Sequence, residues 1–378
     1  MRGYSRALRP IERHELREEG LRVSRLRLRL SGRVLCRSEL RPYPINQSVD
    51  YQSSTGELAP ARAVPLGIGA VDLAYVQSWG CSSFDRTITL GLDGARRALG
   101  LATTLPQRRL PVLMYHSLSD DEEPVGGYHK VCTPPSLFRS QMDWMRATGF
   151  HGVDLSTGIR WLRDGVGSIP GLPEGAKPVA ITFDDGFRDF YRHGLPALAD
   201  HGFQATMYVP TSFIGDVRKT FLNRDCMTWA ELRECLLARI ELGSHTVSHP
   251  VLYSLPWREI KSELHHSKQE MEQQLQRAVE AFAYPFALPS FDQRYLHRLE
   301  GLLQETGYAT CATTLVGRAA ETENLLRIKR IPANSSDDQP LFLAKLRGSY
   351  DWMGGVQTLV KLKGRLRKPE IRRTEESL

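Results

Sequence analysis

From residue 110 onward the chain alternates short apolar runs with longer amphipathic segments. Residues 111–116 (PVLMYH) and 178–183 (PVAITF) are too short for buried helices and too uniformly apolar for half-exposed strands, so they read as strands covered on both faces. The segments 205–209, 240–242, 281–285, 308–313 and 327–331 read the same way. Between them, residues 136–149 carry Leu137, Met142 and Met145 at helical spacing ahead of a Gly stop. Further helices are predicted over 194–202, 229–237, 257–278 and 293–306. Strand and helix in alternation, through about seven units, predict an α/β fold with a parallel sheet: a distorted, incomplete (β/α) barrel of about seven strands.

The two ends depart from this pattern. Residues 1–105 form an Arg-rich leader, expected to be irregular or not a native domain. RLRLRL at 25–30 alternates like a strand, but Pro42, Pro44 and the Ser-Ser-Thr-Gly run at 53–56 interrupt any element. A main domain is expected over 106–340. Residues 341–378 are expected to be a basic amphipathic tail, with Trp352, Met353, Val356, Leu359, Val360, Leu362 and Leu366 beside Lys361, Lys363, Arg365, Arg367 and Lys368. Such a tail either packs on the barrel or makes peripheral contact with an anionic membrane surface.

Charge follows the same division. The net +7 comes from +8 in residues 1–110 and +5 in 343–378 against −6 in the centre. No folded face interleaves basic and aromatic residues, so nucleic acid is not an expected partner. The six cysteines, at 36, 81, 132, 226, 235 and 311, form no CxxC pair, which fits free, buried thiols in a reducing compartment. No apolar run reaches membrane-spanning length, and the first residues carry charge where a secretory signal would be apolar. A cytoplasmic location, with the tail as a route to the membrane periphery, is the expectation.

Chemistry concentrates at two strand ends. Asp184 and Asp185 follow the 178–183 run, and two like charges there repel unless one is neutralised or a cation intervenes. About sixty residues later, ELGSHTVSH sets His245 and His249 four apart, a spacing that can place two imidazoles on one side of a turn. Alone, each motif is compatible with an ordinary turn or cap. Together they offer one carboxylate and two imidazoles, a three-ligand set that leaves a coordination position open, as a catalytic divalent site requires.

TFDDGF followed by SHTVSH, in this order and at this separation, resembles the polysaccharide deacetylase family, also called the NodB homology domain or carbohydrate esterase family 4. LPVLMYHSL, QATMYVPTSFIG, MTWAEL and FAYPF extend the likeness over about residues 110–332. The resemblance implies a NodB-type barrel and a metal-dependent hydrolase that removes N-acetyl groups from N-acetylated sugars of an oligo- or polysaccharide. Hydrolysis of another linear or cyclic amide, or a glycan-binding barrel without turnover, are the alternatives.

By motif matching, Asp185, His245 and His249 correspond to the metal ligands, with Zn2+ the expected ion, and Asp184 to the general base. A late-motif His usually protonates the leaving amine, but no His follows His297. His116 in LMYHSL matches the first-strand acid of a permuted-motif branch instead. The usual Arg-x-Pro-Tyr motif reads Ala283-Tyr284-Pro285-Phe286, so the Arg that orients the base is missing. Arg330 is the candidate replacement and Arg327 the second. The Phe286 N–H is a candidate oxyanion donor, and Trp229 either lines the acetyl pocket or sits in the core.

Overall fold

The computed structural model describes residues 84–100, 108–121, 131–165, 169 and 171–366. The RLRLRL segment, Cys36, Cys81 and residues beyond 366 lie outside them. The strands are β1 (Arg109–Leu110), β2 (Val112–Tyr115), β3 (Phe150–Val153), β4 (Lys177–Phe183), β5 (Thr206–Val209), β6 (Thr220–Phe221), β7 (Arg224–Asp225), β8 (Glu241–Ser244), β9 (Ala281–Ala283), β10 (Thr310–Val316), β11 (Ala319–Ala320) and β12 (Ile328–Pro332). The helices are α1 (Phe84–Ala98), α2 (Pro135–Ala147), α3 (Leu155–Asp164), α4 (Leu195–His201), α5 (Trp229–Leu237), α6 (Trp257–Leu275), α7 (Gln293–Thr306), α8 (Gln339–Leu346) and α9 (Trp352–Leu366).

Seven parallel strands form the barrel, in the order β2, β12, β10, β9, β8, β5, β4. The ring closes where β4 pairs back onto β2, from Val112↔Ala180 to Tyr115↔Phe183. It is distorted at two seams: β8 and β9 share a single registered pair, Ser244↔Phe282, and the β10–β12 register slips between Ala312 and Val316. β3 pairs with the first half of β4 and stands outside the ring order. The fold is therefore the seven-stranded α/β barrel expected, closed by hydrogen bonds although it has one strand fewer than eight.

The runs that read as strands covered on both faces are covered because helices pack outside and side chains fill the lumen. In β4 every residue after Lys177 is buried. The outer layer packs Phe138, Met142, Ile260, Leu264, Leu299 and Leu303 from the helices against the sheet. The lumen holds one large ring, Tyr208, among Ala180, Ala281, Ala283 and Ala312. Gly243 makes room for it: a Cβ there would stand 2.5 Å from the Tyr208 ring.

The ends differ from expectation. Residues 84–98, inside the presumed leader, form α1, whose Asp85, Thr89 and Asp93 are buried against the C-terminal segment. The boundary drawn at residue 340 falls inside α8, whose Leu341 to Leu346 are all buried. An element apolar on every side shows no amphipathic stripe, and so reads as the start of a tail. α9 follows, with Met353 in the core and the buried Lys361 Nζ donating to the Leu288 carbonyl at 2.8 Å. No helix among the described residues is long and apolar enough to cross a membrane. The four described cysteines, 132, 226, 235 and 311, are buried thiols that form no disulfide with one another.

Candidate active site

Parallel strands direct their carboxyl ends to one mouth, and the expected residues arrive there from separate strands. His116 follows β2, Asp184 and Asp185 follow β4, His245 and His249 follow β8, Phe286 lies three residues past β9, and Arg330 is within β12. Backbone bonds extend the ladder into these turns: Asp184 N–H donates to the Tyr115 carbonyl and His245 N–H to the Val209 carbonyl. Four non-glycine residues of the mouth have positive φ, namely Asp185 (73°), Thr246 (72°), His249 (55°) and Phe286 (56°). Strained backbone of this kind persists only where surrounding structure holds it, and it clusters at functional turns. Gly186 shares the strained turn at φ 67°; a Cβ there would meet Val209 and Ile214 at 3.1 and 3.2 Å.

Asp185, His245 and His249 each turn one ligand atom into a common space, all within 4.8 Å of one another. The Asp185 Oδ1 lies 3.7 Å from His245 Nε2 and 3.4 Å from His249 Nε2, is fully buried, and accepts no hydrogen bond. Burial, and then the neighbouring Asp184 charge, push the Asp185 carboxyl well above its ordinary range. Burial likewise lowers both imidazoles, which keeps their nitrogens free as donors to a metal. His245 Nδ1 lies 2.8 Å from the Ala283 carbonyl, which leaves Nε2 to face Asp185. An orphaned carboxylate oxygen between two neutral imidazoles fits a divalent cation.

Asp184 stands in a different field. Burial alone would raise its carboxyl, but Arg330 holds it well below the usual carboxylate range. Arg330 Nη1 and Nη2 donate to its two oxygens at 2.7 and 2.8 Å, a bidentate pair with both side chains buried. His116 Nε2 lies 3.8 Å from Asp184 Oδ2, and burial pushes its imidazole down to about 4 against the pull of that carboxylate. Phe286, 41% exposed, sets its ring edge-on to His249 at 4.7 Å. Its carbonyl accepts from Thr314 Oγ1, and its N–H has no acceptor among the described residues.

Residues 172–309 match the family model described as polysaccharide deacetylase. That stretch carries both Asp184 and Asp185 and both His245 and His249, so the part of the chain that holds the site is similar to polysaccharide deacetylases. YxkH of Bacillus subtilis (strain 168), a polysaccharide deacetylase by name, is 25% identical over 59% of this chain and 71% of its own length. The poly-beta-1,6-N-acetyl-D-glucosamine N-deacetylase of Escherichia coli O157:H7 is 29% identical over 40% of this chain, which spans only 22% of that protein. Among solved structures, the deacetylase PplD of Streptococcus pyogenes superposes with a TM-score of 0.53 at 24% identity, over 64% of this chain and 99% of that one. IcaB from Ammonifex degensii gives 0.50 at 21% identity, over 63% and 97%. These superpositions establish a shared fold.

Two neighbours of the site were not predicted from the sequence. Glu263, on α6, accepts the N–H groups of Val247 and Ser248 at 2.8 and 2.9 Å and so holds the HxxxH turn. Thr246 Oγ1 accepts from His249 N–H at 3.0 Å. Only the Thr inside the motif carried a signal, as a turn-forming hydroxyl; nothing in spacing points to a glutamate fourteen positions past His249. Trp229 lies in the core rather than at the mouth, and Arg327 pairs with Glu300 instead of Asp184.

Proposed function

We propose that this protein removes N-acetyl groups from N-acetylated sugar residues of an oligo- or polysaccharide, with a divalent metal, zinc in the first instance, held by Asp185, His245 and His249. Two imidazoles and one carboxylate suit zinc and leave room for water and substrate. The observation that carries the reading is the placement of this triad beside a second carboxylate kept ionised by a buried guanidinium. A metal held by Asp185, His245 and His249 would lower the pKa of water and polarise the acetyl carbonyl.

The protein's own groups supply the rest. Asp184, ionised and fixed by Arg330, takes the proton of the attacking water. Arg330 thus does from β12 what the absent Arg at position 283 would do from β9. His116 is neutral in the resting site because of its burial, so it cannot begin as the acid. It stands 3.8 Å from the carboxylate that receives the proton, beyond direct hydrogen-bond range, so a relay from Asp184 through His116 to the departing amine needs one bridging water or closure of that gap. The Phe286 N–H, without an internal acceptor, is free for the oxyanion, since that role needs only main chain. A glycan-binding barrel without turnover drew its support from the missing Arg, and the Asp184–Arg330 pair removes that support.

The test is acetate release from a panel of N-acetylated glycans by protein stripped with a chelator and reloaded with zinc. Release that returns with stoichiometric metal is the expected result. Amine formation without acetate would favour another amide as substrate, and glycan binding without either product would favour the inactive barrel.

A further inference from the structure

We infer that Thr182 is a positioning residue for the reaction, acting through Arg330. The inference rests on the reading of Asp184 as the base. Thr182 precedes Asp184 by two residues on β4, is fully buried, and sits where β2, β4 and β12 come together. Its Oγ1 donates to the Leu113 carbonyl at 2.7 Å. A hydroxyl has one proton, so once that bond is made the oxygen can only accept. It accepts from Arg330 Nη1 at 3.1 Å, the same nitrogen that donates to Asp184 Oδ1 at 2.7 Å. On the other side, Arg330 Nε donates to the Thr313 carbonyl at 3.0 Å.

The guanidinium is thus gripped at three places, and only Asp184 is a reacting partner. Thr313 provides a main-chain carbonyl, which no substitution of its side chain deletes. Apart from the reacting carboxylate, and with the Tyr208 ring 5.9 Å from the guanidinium carbon, Thr182 provides the one side-chain hydrogen-bond acceptor to Arg330 among the described residues, and the fixed direction of its hydroxyl bond makes it an acceptor where an acceptor is needed. Without it, one N–H of a buried cation would lose its partner and the fork could tilt away from the carboxylate. The orientation of the base would then loosen while the three metal-facing side chains stayed in place.

A double-mutant cycle decides the point, with acetate release and bound zinc measured on the same samples. Thr182→Val is expected to lower kcat roughly tenfold, with KM within about twofold and zinc unchanged. Thr182→Ser keeps the hydroxyl and is expected to recover most of the rate. In an Arg330→Lys background the Val substitution is expected to cost less than about twofold, because the group it acts through has gone. Equal fractional losses in both backgrounds, with Ser no better than Val, would overturn the inference and leave Thr182 a packing residue. Should the Val variant fail to fold, Thr182→Cys, close in shape and a feeble acceptor, takes its place in the same cycle. If Arg330→Lys alone has full activity, it is the assigned role of Arg330 that fails, and the two failures stay distinct.

Discussion

Asp184 and Asp185 are adjacent, equally buried, and electrostatically opposite. Arg330 neutralises Asp184 through two hydrogen bonds, whereas Asp185 has an oxygen with no donor and two imidazoles facing it. Substitution should therefore separate their roles. Asp184→Asn keeps the shape and is expected to retain zinc while losing at least about 100-fold in kcat, the scale of a lost general base. His249→Ala is expected to lose both metal and activity. Equal zinc loss in the two variants, measured by metal analysis of purified protein, would show that the division is wrong. His116→Ala is expected to lower kcat about 100-fold with zinc content unchanged, because its Nε2 faces Asp184 rather than the ligand atoms. An unaltered rate would remove it from the proton path.

The elements show why some parts were legible in the sequence. β4 could be read because it is buried on both faces and so is apolar throughout, and α5 because Thr228 and Glu231 form a capping box before an apolar helix. Asp185, His245 and His249 were legible as a spaced pair of motifs, while Arg330 was accessible only through the family resemblance, since its contact with Asp184 spans 146 residues and depends on barrel closure. α1 was missed because its buried face is polar: the apolar Phe84 and Leu92 point outward, 62% and 41% exposed. Glu231 illustrates how one element is tied to its neighbours, accepting from Arg188 Nε at 2.8 Å and Arg218 Nη1 at 2.9 Å. Burial alone would raise its carboxyl, but these donors and the Thr228 N–H bring it down to about 2. A depressed folded-state pKa means stabilisation that is complete above the unfolded value near 4.5 and is lost as pH falls towards 2. Glu231→Gln is expected to lose about 2 to 3 kcal/mol at pH 7, with the gap to wild type closing between pH 5 and pH 2 in urea unfolding. A gap independent of pH would mean that the charge is not what stabilises α5.

At the scale of the whole molecule, α1 joins the N-terminal side of the barrel domain to its last helices almost entirely through polar contacts. Asp93 accepts from Arg347 Nε at 2.9 Å and Ser349 Oγ at 3.1 Å, the Trp352 indole N–H donates to Thr89 at 3.2 Å, and Arg86 pairs with Asp338 at 2.6 Å. The partners belong to the segment that follows β12, the strand carrying Arg330. α8 sends Phe342 and Leu346 into the core, and removing α1 would strip partners from Arg347 and Ser349 just after it. A boundary near residue 105, natural from hydrophobic pattern alone, would therefore cut through the packed domain. A chain of residues 106–378 is expected to melt several degrees below one of residues 84–378, and Asp93→Ala in the longer chain to cost about 1 to 3 kcal/mol by leaving a partly buried guanidinium without its carboxylate. None of these contacts involves Asp184, Asp185, His245 or His249, so zinc content of folded protein should stay unchanged in both. Equal melting temperatures for the two lengths would show that α1 adds nothing to the domain's stability, and the boundary would return to residue 105.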